Sequence, residues 1–390
     1  MSLPPILIIA LAYPPDPYSG SARPYRFAKY LGRLGHTVRI IAGGTSDECV
    51  VDGNLYRVHA DYEDLPSTSF IERVFRKFLL HHDEGIAWSP RVVEVAKQWR
   101  AEPMVMLSTS PPFTTHVAAL WAKKRFGWPW IADFRDPLVG NPYRHERAHK
   151  MDGVIERLIF RNADAMIANT DKVAEMWRKC YPEHVAKIHT IWNGFDPEDP
   201  LEALTLPARS FRTLRHAGTV YGDRYPTQLF ESLARLSPSA LSVELIGLLS
   251  VPPGTVLFSA PWLHTRSKVP KVEADRLISE SDYLLLLDVT TSNIGLQVPA
   301  KMFDYIRIGR PILARTVPGS PVDRILAQSG VPNASLYADE PEAETDAKVA
   351  GFLTLPADAV TPSAWFRENF DGLAQARILS ELVQSLSKRR

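Results

Sequence analysis

Short apolar runs alternate with helical patterns along this chain, and no other feature restricts its fold as strongly. The first run, ILIIALA at residues 6–12, is followed by a loop containing Pro and Gly and then by a helical apolar stripe within 25–36. Such alternation is typical of βαβ units, whose parallel strands are buried on both faces. The same pattern predicts a helix at 113–127 and strands at 38–43, 105–108, 130–134, 165–169 and 188–194.

The alternation restarts after residues 197–212, which are rich in Pro, Glu and Ala and suit a linker. A long amphipathic helix is predicted at 365–386, and a length of 390 residues fits two domains. We therefore predict an α/β fold with two Rossmann-like, doubly wound domains, at 1–200 and 201–374. The strands predicted in the second domain are 213–218, 243–247, 256–260, 283–289, 311–315 and 335–339.

Charge and cysteine usage argue against several classes of protein. The formal net charge is +1, which does not favour a nucleic-acid partner. Cys49 and Cys180 lie outside any Cys/His cluster, so the sequence argues against a structural zinc site and suits a reducing compartment. No apolar run has the length of a membrane span. We expect a cytoplasmic protein.

Two loops that follow predicted strands carry small residues close to a cation. In the first loop, Gly20 and Ser21 precede a predicted helix, where the backbone can approach a ligand closely, and Arg23 adds positive charge. In the second loop, Gly218 is followed by Arg224, a combination that suits a diphosphate. The alternative for both loops is a tight turn with a solvated arginine.

A charged cluster stands at the end of the strand predicted at 130–134. Asp133, Arg135 and Asp136 would lie at the carboxyl edge of the first sheet, where they could bind a sugar hydroxyl, a proton or a phosphate. The alternative is a structural ion network that closes the strand. His116 begins a predicted helix and is either ligand-facing or, as is more frequent for a lone histidine, a packing residue.

Lys301 and Asp304 lie three residues apart at a predicted helix start, and therefore on one face. The lysine suits a phosphate and the carboxylate suits a ribose diol, although a surface ion pair is the alternative. The chain contains no Asp-x-Asp pair. We therefore expect no metal at the site and no cofactor, with cations and helix dipoles stabilising any leaving phosphate.

Several motifs, taken in their order and spacing, resemble the GT-B glycosyltransferases, specifically the retaining family 4. The resemblance covers nearly the whole chain. It implies a deep cleft between the domains, an acceptor site on the first domain, a donor site on the second, and a C-terminal helix at 375–390 that joins the first domain. The motifs are YPPDPYSGSARPYRFAKYLGRLGHTVRII, IADFRDP, NADAMIANTDKVAEMW, IWNGFDPED, SDYLLLLD and VPAKMFDYIRIGRPIL.

The resemblance also implies roles for individual residues. The catalytic group comprises Asp136, Arg135 and Lys301, and the donor-binding group comprises Gly20, Ser21, Gly218, Arg224, Val269, Gly295 and Asp304. Within these groups, Lys301 and Arg224 would contact the diphosphate, Asp304 the ribose and Val269 the nucleobase. Three features depart from the family: Leu296 stands where a glutamate is frequent, Arg135 stands where a histidine is frequent, and the glycine-rich loop of the second domain with its nearby lysine is only partly matched.

The activity implied by the resemblance is transfer of a sugar from a nucleoside-diphosphate sugar, with retention, to a hydroxyl of a glycan, lipid-linked or small-molecule acceptor. The alternatives are a catalytically silent GT-B scaffold that binds a nucleotide sugar, and a nucleotide-sugar 2-epimerase. The stretch 69–83 carries an apolar stripe beside cations. It suits either a peripheral contact with the inner face of a membrane or an ordinary core-facing helix.

Overall fold

The structure of the protein is a computed structural model that describes residues 3–16, 19–46, 48–60, 88–141, 149–206, 209–290 and 296–388. The chain forms two compact units. Unit 1 comprises Met1–Asp196 together with Gly372–Arg390, and unit 2 comprises Pro197–Asp371. The chain thus passes between the units at Asp196–Pro197 and at Asp371–Gly372, shortly before the boundaries predicted at 200 and 374.

Within the described residues, unit 1 contains an eight-stranded sheet with the strand order β3-β4-β2-β1-β5-β6-β7-β8. Its strands are β1 (Ile6–Ala10), β2 (Val38–Gly44), β3 (Val50–Asp52), β4 (Leu55–His59), β5 (Val105–Ser110), β6 (Trp130–Phe134), β7 (Ala165–Ala168) and β8 (Ile188–Thr190). All neighbouring strands are parallel except β3 and β4. Every residue of β1 is buried, which explains its uninterrupted apolar sequence.

In the described part of unit 1, the helices that precede the domain boundary are α1 (Ala22–Arg33), α2 (Trp88–Ala96), α3 (Thr114–Phe126), α4 (His149–Asn162) and α5 (Asp171–Cys180). Helix α1 buries Phe27, Tyr30 and Leu31, as the apolar stripe predicts. Helix α5 begins with Thr170, whose side chain accepts a hydrogen bond from the Val173 amide and so caps the helix.

The residues described in unit 2 form a six-stranded, fully parallel sheet with the order β13-β11-β9-β14-β15-β16, and a two-stranded sheet of β10 and β12. The strands are β9 (Arg212–Ala217), β10 (Val220–Tyr221), β11 (Leu241–Ile246), β12 (Leu249–Ser250), β13 (Leu263–Arg266), β14 (Tyr283–Leu287), β15 (Ile312–Thr316) and β16 (Asn333–Tyr337). Its helices are α6 (Thr227–Leu236), α7 (Lys271–Ser279), α8 (Lys301–Ile308), α9 (Pro321–Gln328), α10 (Glu342–Leu353) and α11 (Ala364–Phe370). These elements build one apolar core around β9, β11 and β14.

The strand predicted at 256–260 is wrong. This stretch is irregular, and the edge strand β13 follows it at Leu263–Arg266. Phe258 packs against Trp262, whereas Val256 is 79% exposed. A single half-buried ring packed against the core therefore explains the apolar run, and the true edge strand is mostly polar because its outer side faces solvent.

The single helix predicted at 365–386 is divided into two. Helix α11 ends before Asp371, whose extended backbone separates it from α12 (Gly372–Ser387). The amide of Gly372 donates to the carbonyl of Phe195 at 3.0 Å, so the two crossings between the units are adjacent. Leu379 and Val383 of α12 are buried in the core of unit 1. The amphipathic pattern continues through Asp371 because both helices bury one face, each in its own unit.

Gly309, which ends α8, packs closely against the backbone of Val360 in unit 2. Its φ is +78°, and a Cβ there would collide with the carbonyl oxygen of Val360. We expect Gly309→Ala to lower the free energy of unfolding of unit 2 by about 1–3 kcal/mol. Gly351→Ala is the matched control, because a Cβ at this position in α10 meets nothing within 4 Å. It should raise stability by about 0.5–1 kcal/mol. Urea unfolding that ranks the two variants in the reverse order would contradict this packing.

Candidate functional site

Each of the two main sheets has a point at which the strand order reverses. In unit 1 this point lies between β1 and β5, and in unit 2 it lies between β9 and β14. Ligands of open parallel sheets bind at the carboxyl ends of the strands beside such a point. The loops after β1 and β9, beside these points, carry Gly20, Ser21 and Gly218, and the topology favours these positions.

A buried ion pair occupies the strand end in unit 1. Arg23 Nη2 lies 2.7 Å from Asp133 Oδ1, and the side chains are 2% and 0% exposed. Thr109 Oγ1 also donates to Asp133, and Arg23 donates to the carbonyls of Ile191 and Trp192. The proposed ligand role of Asp133, and that of Arg23 as a free cation, are therefore wrong. The alternative of a structural ion network holds, since both groups are fully used inside the fold.

Gly20 lies directly beneath the guanidinium of Arg135. The Nε of Arg135 donates to the carbonyl of Ser110 at 3.1 Å, and Nη2 donates to that of Pro111. A Cβ on Gly20 would collide with this guanidinium. Ser21 donates to the carbonyl of Asp16 at 3.2 Å. The structure thus brings the predicted residues Gly20 and Arg135 together at the end of β5.

Asp136 follows Arg135 and is half-buried. Burial lowers the pKa of Arg135, while the carboxylates of Asp136 and Asp133 oppose that shift. Asp136 therefore lies close enough to Arg135 for a direct electrostatic interaction. The two residues form a charged pair of opposite sign at the carboxyl edge of unit 1, which can orient a hydroxyl.

His116 is a packing residue. Its two ring nitrogens lie 2.7 Å and 2.9 Å from the hydroxyls of Ser108 and Ser110, and its ring packs against Phe134. The side chain is fully buried, and this burial lowers its pKa to about 3. His116 therefore stays neutral and supports the strand rather than facing a ligand.

Glu156 of α4, which the sequence analysis missed, holds the loop that follows Asp136. Its carboxylate accepts hydrogen bonds from the Val139 amide at 3.2 Å and from the Tyr181 hydroxyl at 2.9 Å. Burial raises the pKa of Glu156 to about 7. No sequence signal distinguishes this glutamate from the solvated ones. Its partners, Val139 and Tyr181, are 17 and 25 residues away in the chain.

The raised pKa of Glu156 predicts a pH effect on stability. The folded protein binds a proton more tightly than the unfolded chain, so the contribution is present below about pH 4.5 and is lost as the pH rises through about 7. We expect wild type to lose on the order of 2–3 kcal/mol of unfolding free energy relative to Glu156→Gln across this range. Urea unfolding at several pH values measures this difference. If the difference in unfolding free energy between wild type and Glu156→Gln is constant with pH, Glu156 does not titrate in this way. The control is Glu94→Gln, which changes an exposed glutamate and should show the same decline in stability with pH as wild type.

A pocket of about 220 Å³ lies at the carboxyl ends of β9 and β11, beside the start of α8. It brings together three residues of the predicted donor-binding group, Gly218, Val269 and Asp304, and one of the predicted catalytic group, Lys301. The remaining lining residues are Ala217, Thr219, Ile246, Gly247, Leu248, Lys268, Ala274, Asp275, Ile278 and Tyr305. A larger depression of about 590 Å³ lies at the opposite, amino edge, beside Arg212, Leu241 and Tyr283. We assign the ligand site to the carboxyl-edge pocket, because parallel sheets bind ligands at that edge.

Lys301 reaches the loop after β9. A Cβ on Gly218 would collide with Lys301 Nζ, and the φ of +136° at Gly218 also favours glycine. His216 Nε2 lies 3.2 Å from the same Nζ. Burial and the neighbouring guanidinium of Arg224 lower the pKa of Lys301 to about 7. The amino group is therefore poised to gain charge when an anion enters the pocket.

Arg224 is the second cation near this pocket. It is 8% exposed, and its guanidinium lies 4.4 Å from the centre of the Tyr221 ring. Within the part of the chain that the structure describes, its buried Nε has no hydrogen-bond partner. The charges of Lys301 and Arg224 repel each other, and the Nε of Arg224 can still donate. An anion between these groups would reduce the repulsion and accept this hydrogen bond.

Asp304 and Val269 complete the pocket at its rim. Asp304 is half-buried in the first turn of α8, whereas the preceding residue, Phe303, is buried. Tyr305, also missed from the sequence, accepts a hydrogen bond from the Ala217 amide at 2.9 Å and fixes the end of β9. Leu296 is buried, at 8% exposure. Gly295 and the stretch 69–83 lie outside the described residues.

The described residues contain no group of three His, Cys, Asp or Glu side chains that could hold a metal ion. Among the described helices, none combines the length and apolar character needed to cross a membrane.

Residues 23–199 match the model of a family described as Glycosyltransferase Family 4. No curated protein matches the chain in sequence. Among solved structures, Anabaena HepE in complex with UDP and glucose is 14% identical, with a TM-score of 0.61 and coverage of 97% of this chain and 99% of HepE. The catalytic domain of Arabidopsis thaliana starch synthase IV, bound to ADP and acarbose, is 12% identical, with a TM-score of 0.64 and coverage of 100% and 99%.

A Listeria monocytogenes protein described as a UDP-N-acetylglucosamine 2-epimerase is 13% identical, with a TM-score of 0.53 and coverage of 98% and 97%. At these identities the likeness establishes the fold. The predicted GT-B fold and the resemblance to GT-B glycosyltransferases are confirmed. Because an epimerase shares the fold, the chemistry has to be argued from the site.

Proposed function

We propose that the protein is a glycosyltransferase that takes a sugar from a nucleoside-diphosphate donor bound in the pocket of unit 2. The observation that carries this proposal is the pair of cations Lys301 and Arg224 beside Gly218. Burial, together with the charge of Arg224, lowers the pKa of Lys301, and the buried Nε of Arg224 has no hydrogen-bond partner among the described residues. A diphosphate would relieve the repulsion and use the free donor.

The other pocket residues support the same ligand. The carboxylate of Asp304, in the first turn of α8, suits the two hydroxyls of a ribose. Val269 lines the pocket beside Ala274 and offers an apolar surface to a nucleobase. These contacts bind the part of the donor that does not react, which positions the sugar for transfer.

The charge that develops in the reaction explains why two cations are useful. As the bond between sugar and diphosphate breaks, negative charge grows on the leaving phosphate, and Lys301 and Arg224 stabilise it. We propose that this occurs without metal and with retention, the acceptor hydroxyl passing its proton to a phosphate oxygen. In unit 1, Arg135 and Asp136 beside Gly20 and Ser21 are the residues proposed to orient the acceptor.

The acceptor in this proposal is a hydroxyl group. The family match supports a hydroxyl acceptor, of which a glycan, a lipid-linked sugar and a small molecule are the candidates. A cytoplasmic location fits a nucleotide-sugar donor. Sedimentation with anionic liposomes tests the peripheral membrane contact proposed through 69–83, and a protein that stays in the supernatant removes it.

A catalytically silent nucleotide-sugar scaffold is the second candidate. It is favoured by the buried Leu296, which stands where a glutamate in contact with the transferred sugar is frequent in the resembling family. Both candidates bind a nucleotide in the pocket of unit 2, and calorimetry with ADP, UDP and GDP tests this binding. If one of these nucleoside diphosphates binds wild type and binds Asp304→Asn more weakly, the result supports the pocket of unit 2 as the nucleotide site. Equal binding by wild type and the variant would remove Asp304 from the ribose site.

A further inference from the structure

His216 occupies a fixed orientation at the end of β9. It is 1% exposed, and its Nδ1 lies 2.9 Å from the carbonyl oxygen of Leu285 in β14. A carbonyl oxygen only accepts hydrogen bonds, so Nδ1 carries the proton. Nε2 of the neutral ring therefore presents a lone pair.

This lone pair is directed at Lys301. Nε2 and Lys301 Nζ are 3.2 Å apart, so the amino group donates to the imidazole. Burial lowers the pKa of His216 well below its ordinary value, and the charges of Lys301 and Arg224 lower it further. The ring therefore stays an acceptor across the pH range in which the lysine titrates.

The contact restricts where the amino group can lie. On one side Lys301 Nζ lies against Gly218, where no side chain fits, and on the other it is held by His216. The other charged or titratable groups that line the pocket are Lys268, Asp275, Asp304 and Tyr305, and Arg224 acts on the lysine from the loop after β10.

We propose that His216 is the positioning residue of Lys301, holding its amino group against Gly218 and favouring its charged form where the diphosphate of the donor binds. The ligand in this statement rests on the proposed function, whereas the contact itself does not. His216 is not among the described residues that line the pocket, so it is proposed to act through the lysine.

Two substitutions separate the two hydrogen bonds of the ring. In His216→Asn, the amide nitrogen takes the place of Nδ1 and can still donate to Leu285, but the acceptor for Lys301 is lost. In His216→Gln, the amide oxygen reaches the place of Nε2 and can still accept from Lys301, but the bond to Leu285 is lost. A merely structural histidine would make the asparagine variant the milder change.

The first measurement is the titration of Lys301 by NMR on the intact protein labelled with ¹³C-lysine, assigned with Lys301→Arg. We expect a midpoint near pH 7 in wild type. The midpoint should fall by about one pH unit in His216→Asn, because a hydrogen bond to the charged form is lost. It should stay close to wild type in His216→Gln. Equal midpoints in wild type and His216→Asn would overturn the proposal.

A second measurement needs no variant, and so remains decisive if either substitution impairs folding. Long-range ¹H–¹⁵N spectra of wild type report which ring nitrogen of each histidine carries the proton. We expect a protonated Nδ1 and a bare Nε2 for His216. A protonated Nε2 would contradict the proposal, because that nitrogen could not accept from Lys301.

A third measurement separates this inference from the proposed function. In a donor assay, the basic limb of the kcat/KM profile should move down by about one pH unit in His216→Asn and stay in place in His216→Gln. If wild type shows no turnover with any donor, the proposed function fails while the NMR results still decide the role of His216. Turnover with an unmoved basic limb in His216→Asn would refute the positioning role alone.

Discussion

Lys301→Ala is expected to lower kcat/KM for the donor sugar by about 10²–10³-fold. The substitution removes the amino group that lies against Gly218 in the pocket, and leaves Arg224 to stabilise the leaving phosphate alone. Binding of the nucleoside diphosphate should weaken in the same variant, because the charge also acts on the ground state. The release of nucleoside diphosphate over a range of donor concentrations measures both effects.

The matched control for this variant is Lys172→Ala, which removes an exposed lysine of α5 that pairs with Glu175. It should leave kcat/KM unchanged. A Lys301→Ala protein with wild-type kcat/KM would show that the pocket at the end of β9 is not where the donor reacts.

Asp133→Ala is expected to destabilise unit 1 by about 3–5 kcal/mol. The substitution leaves Arg23 charged and 2% exposed, without the carboxylate that holds it 2.7 Å away. The double change Arg23→Met with Asp133→Leu should be less destabilising than Asp133→Ala, because it buries no unpaired charge. Urea unfolding followed by circular dichroism measures the differences.

The surface carboxylate Asp346, which pairs with Arg235, gives the control for Asp133. Asp346→Ala should change the unfolding midpoint much less than Asp133→Ala, since this pair is partly exposed and is screened by solvent. If Asp133→Ala unfolds at the same denaturant concentration as this control, the buried pair is not a structural element of unit 1.

The sequence predicts best the features that depend on local pattern. The strand at Ile6–Ala10 is buried on both faces and therefore reads as one apolar run. Lys301 and Asp304 are three apart at a helix start, so their shared pocket follows from helical geometry. The edge strand at Leu263–Arg266 escapes prediction because its residues are mostly polar.

The features that the sequence does not predict depend on contacts between distant residues. Arg23 and Asp133 are 110 residues apart, so nothing near Asp133 indicates that its carboxylate is already neutralised. His216 and Lys301 are 85 residues apart, and a histidine within a strand pattern gives no sign of its partner. In both cases burial converts an ordinary charged or polar residue into one with a defined structural or functional position.

We propose centrally that the protein releases a nucleoside diphosphate by transferring the sugar to an acceptor, and a single assay tests this most directly. A panel of nucleotide sugars, each incubated with and without a broad set of glycan and lipid-linked acceptors, is read as released diphosphate and as the fate of the sugar. We predict slow release with one donor alone and faster release when an acceptor is present. Binding of a donor with no release under any condition, or conversion of its sugar to an epimer without an acceptor, would contradict the account.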